Sequence, residues 1–326
     1  MNILIKEYDK KSSGIEKPFI QFFLIGILVL ICIFLSFTSP YFLTWNNFRN
    51  IFDHTSLQLI MAIGMTFVIS SKGIDLSIGS IVALVGICIG LLLKAGVSVV
   101  IASLTGVLIG GLLGTFNGVI ISKFKIAPFI VTIGSQSLFR GISLIITEGK
   151  PIYGFPVNFT YFGKGDLGQI NFPIILGALL VVVSGLLLKY TKWGQYTLAL
   201  GGNEEALRRV GVPINFYKTT IYMFSGLMAG IAGLIYTSRL NAAEPNAGFM
   251  LESDIIAAVI LGGTPMKGGK ASIGGTVIAC LLLGVVRNAL TLLSISSYYQ
   301  QLFIGGIIIL SASISEIRQR KQVKIS

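Results

Sequence analysis

Four stretches of this sequence hold residue types whose spacing could do chemistry or transmit it. The first is GGNEEALRRVGVP at 201–213. Asn203 suits a helix N-cap, Glu204 and Glu205 then lie at the positive end of the helix dipole, and Arg208 and Arg209 lie toward its negative end. Gly211 fits the left-handed residue that closes a helix, and Pro213 forbids continuation. Gly202, Asn203, Glu204, Glu205, Ala206, Leu207, Arg208, Arg209, Val210 and Gly211 therefore predict one short, charged, well-capped helix, a shape for docking rather than catalysis. The second stretch is GIDLSIGS at 73–80. Gly73 permits an unusual backbone, Asp75 can cap a helix, and Ser77, Gly79 and Ser80 allow close packing at a helix start. Asp75 reads as a structural cap in preference to an ion-coupling carboxylate, because it falls near the edge of an apolar run. The third, GGTPMKGGKAS at 262–272, invites comparison with a phosphate-binding loop and fails it: Gly263 leads to Gly268, but Gly269 stands where Lys is required. It is expected to be a mobile loop that binds no nucleotide. The fourth is an acidic group, Glu244, Glu252 and Asp254, expected at span ends as a solvated rim or a docking patch.

Hydrolytic chemistry has no footing here. There is no HExxH and no G-x-S-x-G elbow. His54 is the one histidine, which excludes a multi-His metal site. Cys32, Cys88 and Cys280 all fall in apolar segments and read as small core residues.

The elements that must carry these residues follow from composition. The 326 residues are 53% hydrophobic and 12% charged, with a mean hydropathy of +0.84; soluble domains carry about 25% charged residues. Repeated apolar runs near 20 residues predict an all-α polytopic membrane protein. Ten spans are expected, near 19–38, 54–71, 75–93, 97–122, 127–147, 171–189, 217–238, 252–264, 271–292 and 299–316. They form one transmembrane domain over 19–316, flanked by tails 1–18 and 317–326. The N-terminal apolar run is too long for a cleaved signal and is read as a retained span.

Sidedness is counted from the basic residues. The net charge of +12 could suggest nucleic acid, but Lys and Arg sit in short loops and tails. Of 25, 18 fall in the segments on the N-terminal side and 5 on the other. That bias places both termini, and the basic loop 190–216, in the cytoplasm. LLGTFNG at 112–118 echoes LLGVVRNA at 282–289. These lie five spans apart, which implies halves of opposite orientation, spans 2–5 against 7–10.

Within the spans, Gly106, Gly110, Gly114 and Gly118 put four glycines on one helix face, either for tight packing or to line a pathway or subunit contact. Asn117, Gln136 and Asn288 are polar at membrane depth and are candidates for a hydrated translocation pathway. Arg140 and Arg287 are also intramembrane, with roles left open. The absence of evident acidic partners points to a neutral, hydroxyl-rich solute.

Several of these stretches, taken in order, carry a family likeness. GIDLSIGSIVAL at 73–84, GTFNGVIISKFKIAPFIVTIGSQSLFRGISL at 114–144, GGNEEALRRVGVPI at 201–214 and AAVILGGTPMKGGKASIGGTVIACLLLGVVRNAL at 257–290 resemble the ribose-type sugar permeases of bacterial ABC importers. More distant branched-chain amino-acid and vitamin permeases share the architecture. The resemblance covers residues 20–316. It implies a simple sugar, or alternatively a nucleoside or other small polar solute, carried across the bacterial inner membrane. It also implies a second permease copy (identical or not), two cytoplasmic ATPase subunits that bind the ATP and magnesium, and a periplasmic or lipid-anchored sugar-binding protein. In that family the loop matching 201–213 is the coupling helix that inserts into a groove on the ATPase. A secondary, ion-coupled transporter is the competing class. It would need deeply buried carboxylates, whereas the acidic residues here are expected in loops and at span ends.

Overall fold

The computed structural model describes residues 21–296 together with Tyr299, Leu302, Gly305 and Gly306. Both charged tails, 1–18 and 317–326, and nearly all of the tenth expected span, 299–316, lie outside the described residues. The described residues are mostly helical, in the order α1 (Gln21–Thr38), α2 (Trp45–Ser70), α3 (Ile78–Lys94), α4 (Val99–Phe124), α5 (Pro128–Thr147), the one-turn α6 (Tyr161–Lys164), α7 (Phe172–Tyr190), α8 (Lys192–Arg209), α9 (Ile214–Leu240), α10 (Leu251–Leu261) and α11 (Ile273–Leu292). Seven of these are long and apolar enough to cross a membrane: α1, α2, α4, α5, α7, α9 and α11.

α2 is enclosed on all sides from Leu59 to Ser70 and α3 from Ile78 to Ile87, and over these stretches neither needs a polar face. The hydroxyls of Ser56, Thr66 and Ser70 in α2 donate to carbonyls of their own helix, as with Thr66 Oγ1 on the Ala62 carbonyl at 2.7 Å. That satisfies them where no water is available. α9 packs across α2, α3 and α4, and its pairing with α4 is the most extensive in the molecule. α1 and α7 lie at the periphery and expose Phe37, Leu179 and Val182. α5 starts on Pro128 in the first turn, where a missing N–H is harmless.

Two expected spans differ. The second helix starts at Trp45, well before residue 54, because Thr44 caps it by accepting the Asn47 N–H. The eighth is a half-helix: the 11 residues of α10 rise about 16 Å, half of a hydrocarbon core of about 30 Å. Segment 244–250 before it runs back into the bundle and touches the start of α3. A Cβ on Gly248, which has φ +70, would lie 3.0 Å from the Gly79 Cα.

The long connection 148–171 carries short structure of its own. β1 (Ile152–Tyr153) pairs antiparallel with β4 (Ala242–Ala243), and β2 (Asp166–Leu167) pairs with β3 (Ile170–Asn171). Loop 262–272, expected to be mobile, is held: the Gly269 N–H donates to the Ser70 carbonyl at 2.8 Å, and the Ser272 N–H donates to Thr264 Oγ1 at 3.1 Å.

Candidate functional site

α8 is two helices joined by a break at Asn203, whose φ of −155° and ψ of 93° are not helical. The first part is capped by Thr191, which accepts the Gly194 N–H at 3.1 Å. Trp193 fixes it to the bundle by stacking on Phe67 at 4.9 Å and donating to Thr220 Oγ1 at 2.9 Å. This leading helix escaped the reading of 190–216 as a loop, although Thr191 before a Lys-Trp-Gly start is an N-cap signal. The second part is the expected short helix. Asn203 Oδ1 accepts the Ala206 N–H at 2.9 Å. At the other end Gly211, at φ +80, donates to the Arg208 carbonyl and Val212 to the Leu207 carbonyl. Those two bonds make a Schellman close.

The charges of this short helix pair along its axis. Arg208 meets Glu204 at 2.9 Å and Arg209 meets Glu205 at 3.4 Å, both four residues apart, while Lys218 of α9 reaches Glu204 at 2.7 Å. Burial would by itself raise the Glu204 carboxyl, but the bonds and charges of Lys218 and Arg208 outweigh it and hold the group below the usual carboxylate range. Glu205, Ala206, Arg208, Arg209 and Val210 stay exposed, and Leu207 is half-buried. The base of the helix is anchored. Gly201 is buried against the Ser70 carbonyl and Gly269, with no room for a Cβ, whereas Gly202 faces open space. Beneath the break lies a cavity of about 440 Å³, bordered by Lys72, Asn203, Glu204 and Lys218.

A buried polar chain crosses the bundle nearby. Asp75 is fully buried; its Oδ1 accepts the Ser77 N–H at 3.1 Å and the Ser77 hydroxyl at 2.6 Å, and its Oδ2 accepts the Ser225 hydroxyl at 2.9 Å. Asn117 donates to Ser77 Oγ at 2.8 Å and accepts from Ser135 Oγ at 2.5 Å. One carboxylate and one carboxamide thus tie together the start of α3 and helices α4, α5 and α9. Asp75 bonds the backbone just before α3, as a helix-start residue does, and its carboxylate is enclosed by the bundle. Asn117 is fully buried and bonded within this chain, so in this structure it does not face a cavity. Ser135 and Ser225 were not singled out by the sequence, because a serine in an apolar run usually bonds its own helix.

The other polar candidates find partners, including acidic ones the sequence did not reveal. Gln136 donates to Glu252 Oε1 at 2.8 Å. Arg287 pairs with Asp254 at 2.5 Å. Asn288 and Asn47 exchange carboxamide bonds at 2.7 and 3.2 Å, fastening α11 to the start of α2. The expected acidic rim is therefore not a rim for Glu252, which is buried, or for Asp254, which is ion-paired. The neutral-solute argument from missing acidic partners falls with it. The glycine stripe packs within the chain. A Cβ on Gly110 would lie 2.6 Å from the Gly226 carbonyl oxygen and one on Gly118 2.7 Å from the Thr219 Cα; Gly114 abuts Tyr222 and Gly226, and Gly106 abuts Ile89.

Residues 47–312 match the family described as branched-chain amino acid transport system / permease component. The chain belongs to this permease family. Among curated relatives, the permease is 40% identical over 300 residues to the ribose import permease protein RbsC of Escherichia coli K12, covering 91% of this chain and 93% of that one. It is 42% identical over 297 residues to RbsC of Bacillus subtilis 168, covering 90% of each. The D-allose transport system permease protein AlsC of E. coli K12 is 37% identical over 318 residues, covering 94% of this chain and 97% of its own. No solved structure matches the permease.

Proposed function

We propose that this chain is the membrane-spanning subunit of a bacterial inner-membrane ABC importer for a simple sugar, driven by ATP hydrolysis on a separate cytoplasmic subunit. The relatives named for ribose and D-allose support the solute class. The capped helix 203–211, held to the bundle at Gly201 and by the Glu204–Lys218 pair with its other charges exposed, is the observation that carries the coupling role. On this reading it docks on the ATPase, with both termini cytoplasmic and ten crossings in all, the eighth made by segment 244–250 together with α10. A solute-binding protein delivers the sugar to the opposite face, and a second permease copy completes the pathway. The two halves form an inverted repeat: α2, α3 and α4 recur as α9, α10 and α11 about 170 residues later. The pairing of α4 with α9 is echoed by that of α11 with α2, where Gly284 meets Thr55 as Gly114 meets Gly226.

The test is Arg208→Glu with Arg209→Glu in the complex reconstituted with its ATPase and binding protein. The two exposed i,i+4 pairs contribute only about 0.5 kcal/mol each, too little for their loss to unfold the bundle. Sugar uptake and solute-stimulated ATP hydrolysis should both fall at least about tenfold while the permease stays folded. Wild-type rates in both assays would refute the docking role.

A further inference from the structure

The half-helix α10 and the re-entrant segment 244–250 are held by polar groups at the middle of the bundle, and those groups are incompletely matched. Arg140, near the middle of α5, donates from Nη1 to the Pro245 carbonyl at 2.6 Å and to the Ala247 carbonyl at 2.8 Å. A guanidinium has five N–H donors, and among the described residues only Nη1 is engaged. One turn earlier on α5, Gln136 donates to Glu252 Oε1, while Glu252 Oε2 is buried with no partner. Glu252 is 7% exposed. An unpaired carboxylate oxygen is costly to keep in an apolar bundle, and a half-buried guanidinium with spare donors lies one turn along α5 from the residue that holds it. The segment they hold is also strained. Met250 sits at φ +64, a left-handed conformation that a side-chain-bearing residue adopts at a cost. Phe249 and Met250 beside it are exposed at 69% and 45%. On the far side, Arg287 fastens Asp254 to α11.

We propose that Arg140 and Glu252 are positioning residues of the transport cycle, which exchange partners as the re-entrant segment moves. In the state described here Arg140 clasps the carbonyls of Pro245 and Ala247. In the alternate state Arg140 pairs with Glu252, releases those carbonyls, and frees segment 244–250 with its apolar tip to shift. The Asp254–Arg287 pair keeps the first turn of α10 attached to α11 throughout, so the segment pivots there. This inference rests on the permease reading and adds to it the part that moves.

The experiment uses the reconstituted importer with its ATPase and binding protein. Arg140→Gln and Glu252→Gln should each slow saturated sugar uptake at least about tenfold, with the half-saturating concentration unchanged. The double variant should be no slower than the slower single, because both remove one exchange. Arg140→Lys should recover part of the rate, since an ammonium can still reach the carboxylate. Rate losses that multiply in the double variant, or singles at wild-type rates, overturn the proposal. A second measurement keeps Arg140 and Glu252 in place. With Cys32→Ser, Cys88→Ser and Cys280→Ser, Phe249→Cys puts a single thiol at the exposed tip of the segment, and its rate of labelling by a maleimide in the complex should change severalfold when ATP is added. A labelling rate indifferent to ATP also overturns the proposal. If the unmodified complex imports no sugar, the permease reading fails instead.

Discussion

At the scale of residues, the most consequential group is Asp75. It was legible as a helix-start residue, because Gly-x-Asp before a serine pair is a local signal. Its burial was not legible, because depth depends on partners contributed by α4, α5 and α9, from 40 to 150 positions away. Asp75 accepts three hydrogen bonds, and each donor left unmatched in an apolar bundle costs about 1–3 kcal/mol. Asp75→Ala should therefore destabilise the permease by about 3 kcal/mol or more, read as a lower thermal unfolding midpoint in detergent. Unchanged unfolding would mean the buried chain is not a structural tie. The short helix 203–211 was legible residue by residue, since caps and i,i+4 pairs are set within a few positions. The partners of Glu252 and Asp254 were not, because nothing in 252–254 distinguishes a solvated acid from one buried against Gln136 or Arg287.

Among elements, apolar length made the long helices visible, and hydropathy was silent about those that stop half-way. α10 and its re-entrant approach look like a weak full span in the sequence, because a window averages over a turn that only tertiary contacts define. The glycine face of α4 allows a sharper comparison. Gly114 abuts the Tyr222 carbonyl and Gly226, whereas nothing lies within 4 Å of a Cβ on Gly141 of α5. Gly114→Leu should force α4 from α9 and lose several kcal/mol of stability or prevent accumulation, since overpacking a tight contact costs about 1–3 kcal/mol even for smaller additions. Gly141→Leu should be neutral or stabilise by a few tenths, because leucine favours the helix by about 0.8 kcal/mol over glycine. Membrane yield and thermal unfolding of the pair decide it; equal behaviour would mean the α4–α9 contact tolerates separation.

For the molecule as a whole, the buried carboxylates Asp75 and Glu252 remove the original ground for setting an ion-coupled carrier aside, and the family assignment now bears that weight. Uptake into cells should survive an uncoupler while ATP is maintained and stop when ATP is depleted; the reverse pattern would identify an ion-coupled carrier. The α4–α9 contact has a further consequence, in the time over which the chain is made. Roughly 100 residues separate these two helices, which a ribosome producing about 5–20 residues per second needs some 5–20 seconds to supply. Through that interval the newly inserted first half holds a bare glycine groove, and Asp75 lacks the hydroxyl of Ser225. The first five helices are therefore an unfinished intermediate until Ile214–Leu240 emerges, and the insertion machinery must shelter them for as long as translation takes.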